Sequence, residues 1–158
     1  MSLVFMGSSI WFIVPLLVRK LYIYAMNIPV AIFNSWTFPI GKEIKDPTSE
    51  ELANPKVISF EFTKSPGDVD ITNFRIKAPQ SMEFGKLFYF FILDYNERHP
   101  EGKIQIVDEN SQNPYEWVFH MKPRWWSAVK HINFNLTVAG NNIKEDNVII
   151  CRRVNDIE

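Results

Sequence analysis

Pro123-Arg124-Trp125-Trp126 is the segment whose residue types and spacing point most directly to a chemical task. Two adjacent indoles beside a guanidinium, in a loop punctuated by proline, have the composition of a protein-interface hot spot, where aromatic area and a planar cation are buried together. The same side chains are able to stack on the bases of a single strand of nucleic acid. The surrounding charge is mixed, however, and the net charge is −1, so no nucleic acid is expected as a partner. A purely structural role, with one Trp tucked under a sheet, stands beside the interface role.

The remaining reactive groups point away from catalysis. His99, His120 and His131 are scattered without a spacing such as H-x3-H, so no metal is expected. His99 precedes Pro100 at a helix end, where a cation complements the helix dipole. Cys151, the one cysteine, cannot form an internal disulfide and fits a reducing compartment; within an apolar run it reads as a buried, inert thiol. Glycine-rich phosphate loops, G-x-S-x-G elbows and H-E-x-x-H helices are absent from the sequence. Asp94, Glu97, Asp108 and Glu109 fall at helix and loop positions that solvation explains. No catalytic residue, cofactor or metal is expected.

The elements that would position these groups are legible from Val57 onward. Ile58, Phe60 and Phe62 alternate with Ser59, Glu61 and Thr63, and Phe74 and Ile76 alternate with Arg75 and Lys77. With the turn residues Ser65-Pro66-Gly67-Asp68 between them, these stretches predict a hairpin. Ser81 is placed to cap a helix running to about Arg98, with Phe84, Leu87, Phe88, Phe91 and Tyr95 on one face. Tyr89, Phe90, Ile92 and Leu93 make its other faces apolar too, so something besides a single sheet must cover it. Ile104 and Ile106 predict a short strand, Trp117 and Phe119 another, and Ile132, Phe134, Leu136 and Val138 a further one. Val148–Cys151, apolar on both faces, has the pattern of a central strand. Hairpin, long helix, strand, excursion, strand, turn and central strand is the order of a ubiquitin-like β-grasp, an α+β fold.

Residues 1–41 hold only two charges, Arg19 and Lys20; residues 42–158 hold 15 Lys/Arg and 18 Asp/Glu. Residues 4–18 are too short and too interrupted for a membrane span of ~20 apolar residues, yet too apolar for an ordinary surface helix. The segment is expected to be an apolar arm, helical or extended, covered by lipid, by another subunit or by its own domain. If it inserts, Arg19-Lys20 places the rest of the chain on the cytoplasmic side. The domain reading is therefore an arm over 1–41, a charged linker over 42–56 with a turn capped by Thr48 or Ser49, and a β-grasp-like domain over 57–158.

Several stretches together resemble a known family: Phe84-Gly85-Lys86-Leu87-Phe88-Tyr89-Phe90-Phe91, Asp94-Tyr95-Asn96-Glu97-Arg98-His99-Pro100, Tyr115-Glu116-Trp117-Val118-Phe119, Lys122-Pro123-Arg124-Trp125-Trp126 and Asn142–Cys151. They are similar to the C-terminal region of TssN, a component of the type VI secretion system of Bacteroidetes, over most of residues 10–154. The resemblance implies an inner-membrane protein acting as structure, not as catalyst, inside a contractile injection machine. Members of the family are longer and membrane-embedded at their N-terminus, which implies that this chain is a fragment. The expected partners are other secretion subunits, further copies of the chain, and the inner membrane through the arm, at whose cytoplasmic face the protein would sit. The expected contact residues are Trp11, Phe12, Leu16, Tyr22, Trp36, Phe90, Arg124, Trp125 and Trp126. The competing reading is a membrane-tethered ubiquitin-like adaptor for one protein partner.

Overall fold

Strict alternation along two neighbouring stretches is what a hairpin needs, and Pro55–Phe62 (β2) and Thr72–Pro79 (β3) form one. They run antiparallel, in register from Pro55 opposite Pro79 to Phe62 opposite Thr72. In the connecting turn, Ser65 N–H donates to the Asp68 carboxylate at 2.9 Å, and Gly67 adopts a φ of 83°, a conformation that side chains disfavour. Glu116–Met121 (β4), Lys130–His131 (β5), Val148–Arg153 (β6) and the two-residue Trp36–Thr37 (β1) complete a mixed sheet in the order β1-β4-β6-β2-β3, with β5 also paired to β4. As its doubly apolar pattern requires, β6 is interior, parallel to β2 and antiparallel to β4. Both β1 and β5 lie along β4, at Trp36 opposite Trp117 and at His131 opposite His120.

This computed structural model describes residues 14–15, 17–20, 34–42, 44–123 and 128–154. The chain divides into two units, Met1–Phe33 and Asn34–Glu158. In the first, Val14, Pro15 and residues 17–20 are helical and exposed. The second is α+β, a curled sheet with the helix Phe84–Arg98 (α1) packed on one face.

Between α1 and the sheet lies a core dominated by aromatic rings. Phe88 is fully buried and meets Trp36, Phe60, Trp117 and Phe119 at centroid distances of 5.3, 5.5, 5.3 and 4.9 Å, mostly edge to face. Such pairs contribute about 0.5–1.5 kcal/mol each beyond their buried area. Trp36 and Phe38, read from sequence as the end of an arm, are core residues of the second unit, 8% and 6% exposed. Phe38 packs against Tyr89 with centroids 5.0 Å apart and rings tilted by 31°, and so covers a second flank of α1. Gly85 allows this approach. A Cβ there would lie 2.9 Å from the Trp36 indole nitrogen and 3.3 Å from the Phe134 carbonyl.

Three local expectations are corrected. The helix begins at Phe84, not at Ser81, and no side chain caps it. Its first donors, the N–H groups of Phe84 and Gly85, reach the carbonyls of Leu136 and Phe134 at 2.9 Å, so a distant loop does the work of a cap. The strand expected over Ile132–Val138 does not form; the two-residue strand Lys130–His131 precedes that stretch, and the buried Asn141 side chain curls the loop that follows. Asn141 accepts from Asn133 N–H at 2.9 Å and donates to the carbonyls of Asn133, Leu136 and Thr137. Ile104 and Ile106 belong to no strand. Asn96 on α1 clamps both the N–H and the carbonyl of the buried Ile104, at 2.6 and 3.0 Å, and holds that stretch as a loop.

Between Gly41 and β2, Thr48 and Glu51 form a reciprocal capping pair: Thr48 N–H donates to the Glu51 carboxylate and Glu51 N–H to the Thr48 hydroxyl. Glu51 also pairs with Lys86 on α1 at 2.9 Å, which ties residues 48–52 to the helix.

Two substitutions test this packing by denaturant unfolding. Gly85→Ala should destabilise by about 1–2 kcal/mol, since the clash with Trp36 outweighs the better helix propensity of Ala. In a Trp36→Ala background the same change should become neutral or stabilising, and an unchanged cost there would refute the contact. Asn141→Ala, which leaves the N–H and the carbonyl of Asn133 unanswered, should cost about 2–3 kcal/mol.

Candidate interaction surfaces

Of the nine contact residues expected from sequence, Trp11, Phe12, Leu16, Tyr22, Arg124, Trp125 and Trp126 lie outside the described residues. Trp36 is in the core. Phe90 is half-buried on α1 and lines a groove between the helix and β3. Those two lie apart, one in the interior and the other at the surface.

The groove joins two named elements and has a volume of about 790 Å³. Ile76 of β3 and Leu87, Phe90, Phe91 and Tyr95 of α1 supply apolar walls, and Leu52 from the tethered 48–52 turn contributes another. Polar groups stand at its margin: Arg75 and Lys77 on β3, Asp94 and Arg98 on α1, and His99 beyond it. Arg98 pairs with Asp94 one turn earlier at 2.7 Å, and His99 stacks on Tyr95 at 4.3 Å.

On the opposite face of the sheet the outward residues of β2, β6, β4 and β5 form a row of mixed character. Glu61 is aligned with Ile150, Ile150 with His120, and His120 with His131. Lys122 closes on Glu61 at 2.8 Å. A cavity of about 400 Å³ opens beside this row, lined by Glu61, Thr63, Asp68, Ile71, Ile150 and Arg152 among others. The rings of His120 and His131 stand 6.1 Å apart. Partial burial pushes the His120 imidazole below its ordinary pKa, and the cations Arg152 and His131 push the same way.

Two buried groups frame the reading of chemistry. Cys151 is buried in β6 and burial drives its thiol well above the usual range, which removes it as a nucleophile. Arg153, 1% exposed, was missed in the sequence reading. Its guanidinium donates to the carbonyls of Thr63, Lys64 and Gln105 at 3.0, 2.7 and 3.1 Å and lies 4.4 Å over the Trp117 ring. The signal was present, because Ile149, Cys151 and Arg153 continue one inward-facing alternation. Arg153 thereby ties the turn after β2 to the loop before β4. Among the described residues no group of three or more His, Cys, Asp or Glu side chains comes together as a metal site.

The histidine pair carries a pH prediction. The folded state lowers the pKa of His120, so its contribution is complete above the ordinary value of 6.5 and is lost as pH falls from there through the folded pKa. Thermal unfolding between pH 7 and pH 5 should show a loss of about 1–2 °C that His120→Gln removes; an identical profile in the variant would contradict the assignment.

Compared with known proteins, residues 2–154 match a family model described as Type VI secretion system, TssN. No curated protein and no solved structure matches the chain.

Proposed function

The chain belongs to the TssN family and is a component of the type VI secretion system, and from that premise we propose that it serves as a non-enzymatic assembly element of the machine. The observation that carries the proposal is the apolar surface of the first unit. Val14, Leu17 and Val18 are 49%, 54% and 58% exposed on a helical stretch, beside an otherwise uncharged sequence. Such a surface invites cover by a neighbouring subunit or by lipid. At about 25 cal/mol per Å² of apolar area, a few large side chains such as Trp11, Phe12 and Leu16 would contribute several kcal/mol to that contact.

The polar groups of the second unit support a structural role. Glu51, Glu61, Asp94 and Asp146 are engaged in ion pairs, and Cys151 is an inert thiol. A ubiquitin-like β-grasp is the fold we propose for this unit. Setting β1 aside, the strands run β3-β2-β6-β4-β5, with the first and last long strands, β2 and β6, parallel at the centre and α1 following the opening hairpin. That is the strand order a β-grasp requires, with β1 as an addition along β4.

Partners under this reading are other secretion subunits and further copies of the chain, at the cytoplasmic face of the inner membrane, with Arg19-Lys20 next to the apolar stretch. No helix among the described residues is long and apolar enough to cross a membrane. The second reading is a tethered adaptor with a single protein partner, and the groove between β3 and α1 favours it.

Light scattering without detergent separates the two readings. The shortened chain should begin at Asn34 and not at Lys42, because Trp36 and Phe38 belong to the core. A full-length oligomer that becomes a monodisperse monomer from Asn34 onward supports assembly through the arm. Monomers in both cases remove its main support, and a full chain soluble only with detergent favours the lipid contact.

A further inference from the structure

The backbone of β3 has a side that the described fold leaves unused. Ser59 N–H donates to the Asn147 carbonyl at 2.9 Å, and the Val57 carbonyl accepts from Asp146 N–H at 2.8 Å. Val57, Ser59 and Glu61 therefore turn their backbone groups toward β6, while Ile58 and Phe60 turn theirs toward β3. The residues opposite Val57, Ser59 and Glu61 are Lys77, Arg75 and Asn73. In an antiparallel pair, partners across a non-bonded position point away from each other. The N–H and C=O groups of Asn73, Arg75 and Lys77 thus face outward, at the spacing of a strand ladder. Among the described residues no strand pairs with that edge.

Two further features sit on either side of the same edge. On the helix side lies the apolar groove walled by Ile76, Leu87, Phe90, Phe91 and Tyr95. On the other side the exposed side chains of Arg75 and Lys77 present positive charge. Arg75 is held by Asp146 at 2.9 Å, but both side chains are 70% exposed, so water and salt screen the pair and an incoming carboxylate can replace Asp146 at little cost. Charged side chains on an edge also guard against uncontrolled pairing. A guard alone does not explain an apolar groove of about 790 Å³ along the strand it protects.

We propose that this edge and groove receive an extended segment of another protein chain, added to the sheet beside β3, with apolar and acidic residues in alternation. Strand addition places alternate side chains on opposite faces of the sheet. One set enters the groove against Phe90 and Phe91, where apolar residues are favoured. The other set lies beside Arg75 and Lys77, where carboxylates are favoured. The backbone of Asn73, Arg75 and Lys77 supplies the ladder and sets the register. This inference rests on the second unit alone and does not depend on assembly through the N-terminal arm.

The test titrates the full chain with a fluorescein-labelled, end-blocked peptide in which valine alternates with aspartate. Controls are the same peptide with lysine for aspartate, and a scrambled one with its valines contiguous. The expected result is saturable anisotropy for the acidic alternating peptide only, with amide shifts at Asn73, Arg75 and Lys77. Lys77→Glu should weaken binding about tenfold and improve binding of the lysine peptide. Arg75→Pro removes an outward N–H while sparing the inner ladder, and should weaken binding about fivefold more than Arg75→Ala does. If Arg75→Pro impairs folding, as judged by circular dichroism, the Lys77→Glu charge swap still decides. Absence of saturable binding, or binding indifferent to both variants, overturns the proposal. Self-association of the chain that Lys77→Glu abolishes also overturns it, because the occupant would then be a second copy. Loss of oligomers on removing residues 1–33 bears on the arm and leaves this titration unaffected.

Discussion

A helix with apolar residues on nearly all its faces has to be covered from more than one side, and the second unit is arranged around that requirement. The sheet takes one face of α1 through Phe60, Trp117 and Phe119. Trp36 and Phe38 take a flank, reaching it from the opposite end of the domain sequence through a strand of only two residues. The turn over residues 48–52 is drawn to the helix by the Glu51–Lys86 pair. What remains uncovered, around Phe90, becomes the wall of the groove beside β3. A half-buried aromatic stretch of the helix and the unpaired edge of the sheet are therefore neighbours.

Buried polar side chains fix the loops that the apolar core leaves undetermined. Asn141 curls residues 133–141, Asn96 pins Ile104, and Arg153 joins residues 63–64 to Gln105. In each case a side chain answers backbone groups that would otherwise be buried unpaired, and the cost of leaving them so makes the arrangement specific. The curled loop in turn presents the carbonyls of Phe134 and Leu136 to the start of α1. These cross-ties hold the loops against the sheet and the helix.

Much of this was readable in order along the chain. The alternation of Ile58, Phe60 and Phe62, and of Phe74 and Ile76, specified a hairpin, because a half-buried strand admits few other patterns. Val148–Cys151 read as an interior strand, since only such a strand is apolar on both faces. The family was also legible, in the helix and tandem-aromatic stretches that the family match over residues 2–154 includes. The strand expected over Ile132–Val138 failed for a reason invisible in periodicity: a single Asn eight residues beyond Asn133 supplies the hydrogen bonds a strand neighbour would have supplied.

Local periodicity and turn chemistry by themselves determined the α+β class, the hairpin and the interior place of β6. These depend on side chains within a few residues of one another, so the information is contiguous. Tertiary structure alone decided that Trp36 belongs to the core and Phe90 to a groove. It also decided that a loop caps α1 and that Asn73, Arg75 and Lys77 turn their backbone outward. Those outcomes depend on which distant groups compete for the same buried volume and the same hydrogen bonds, and that competition is settled only when the sheet closes on the helix.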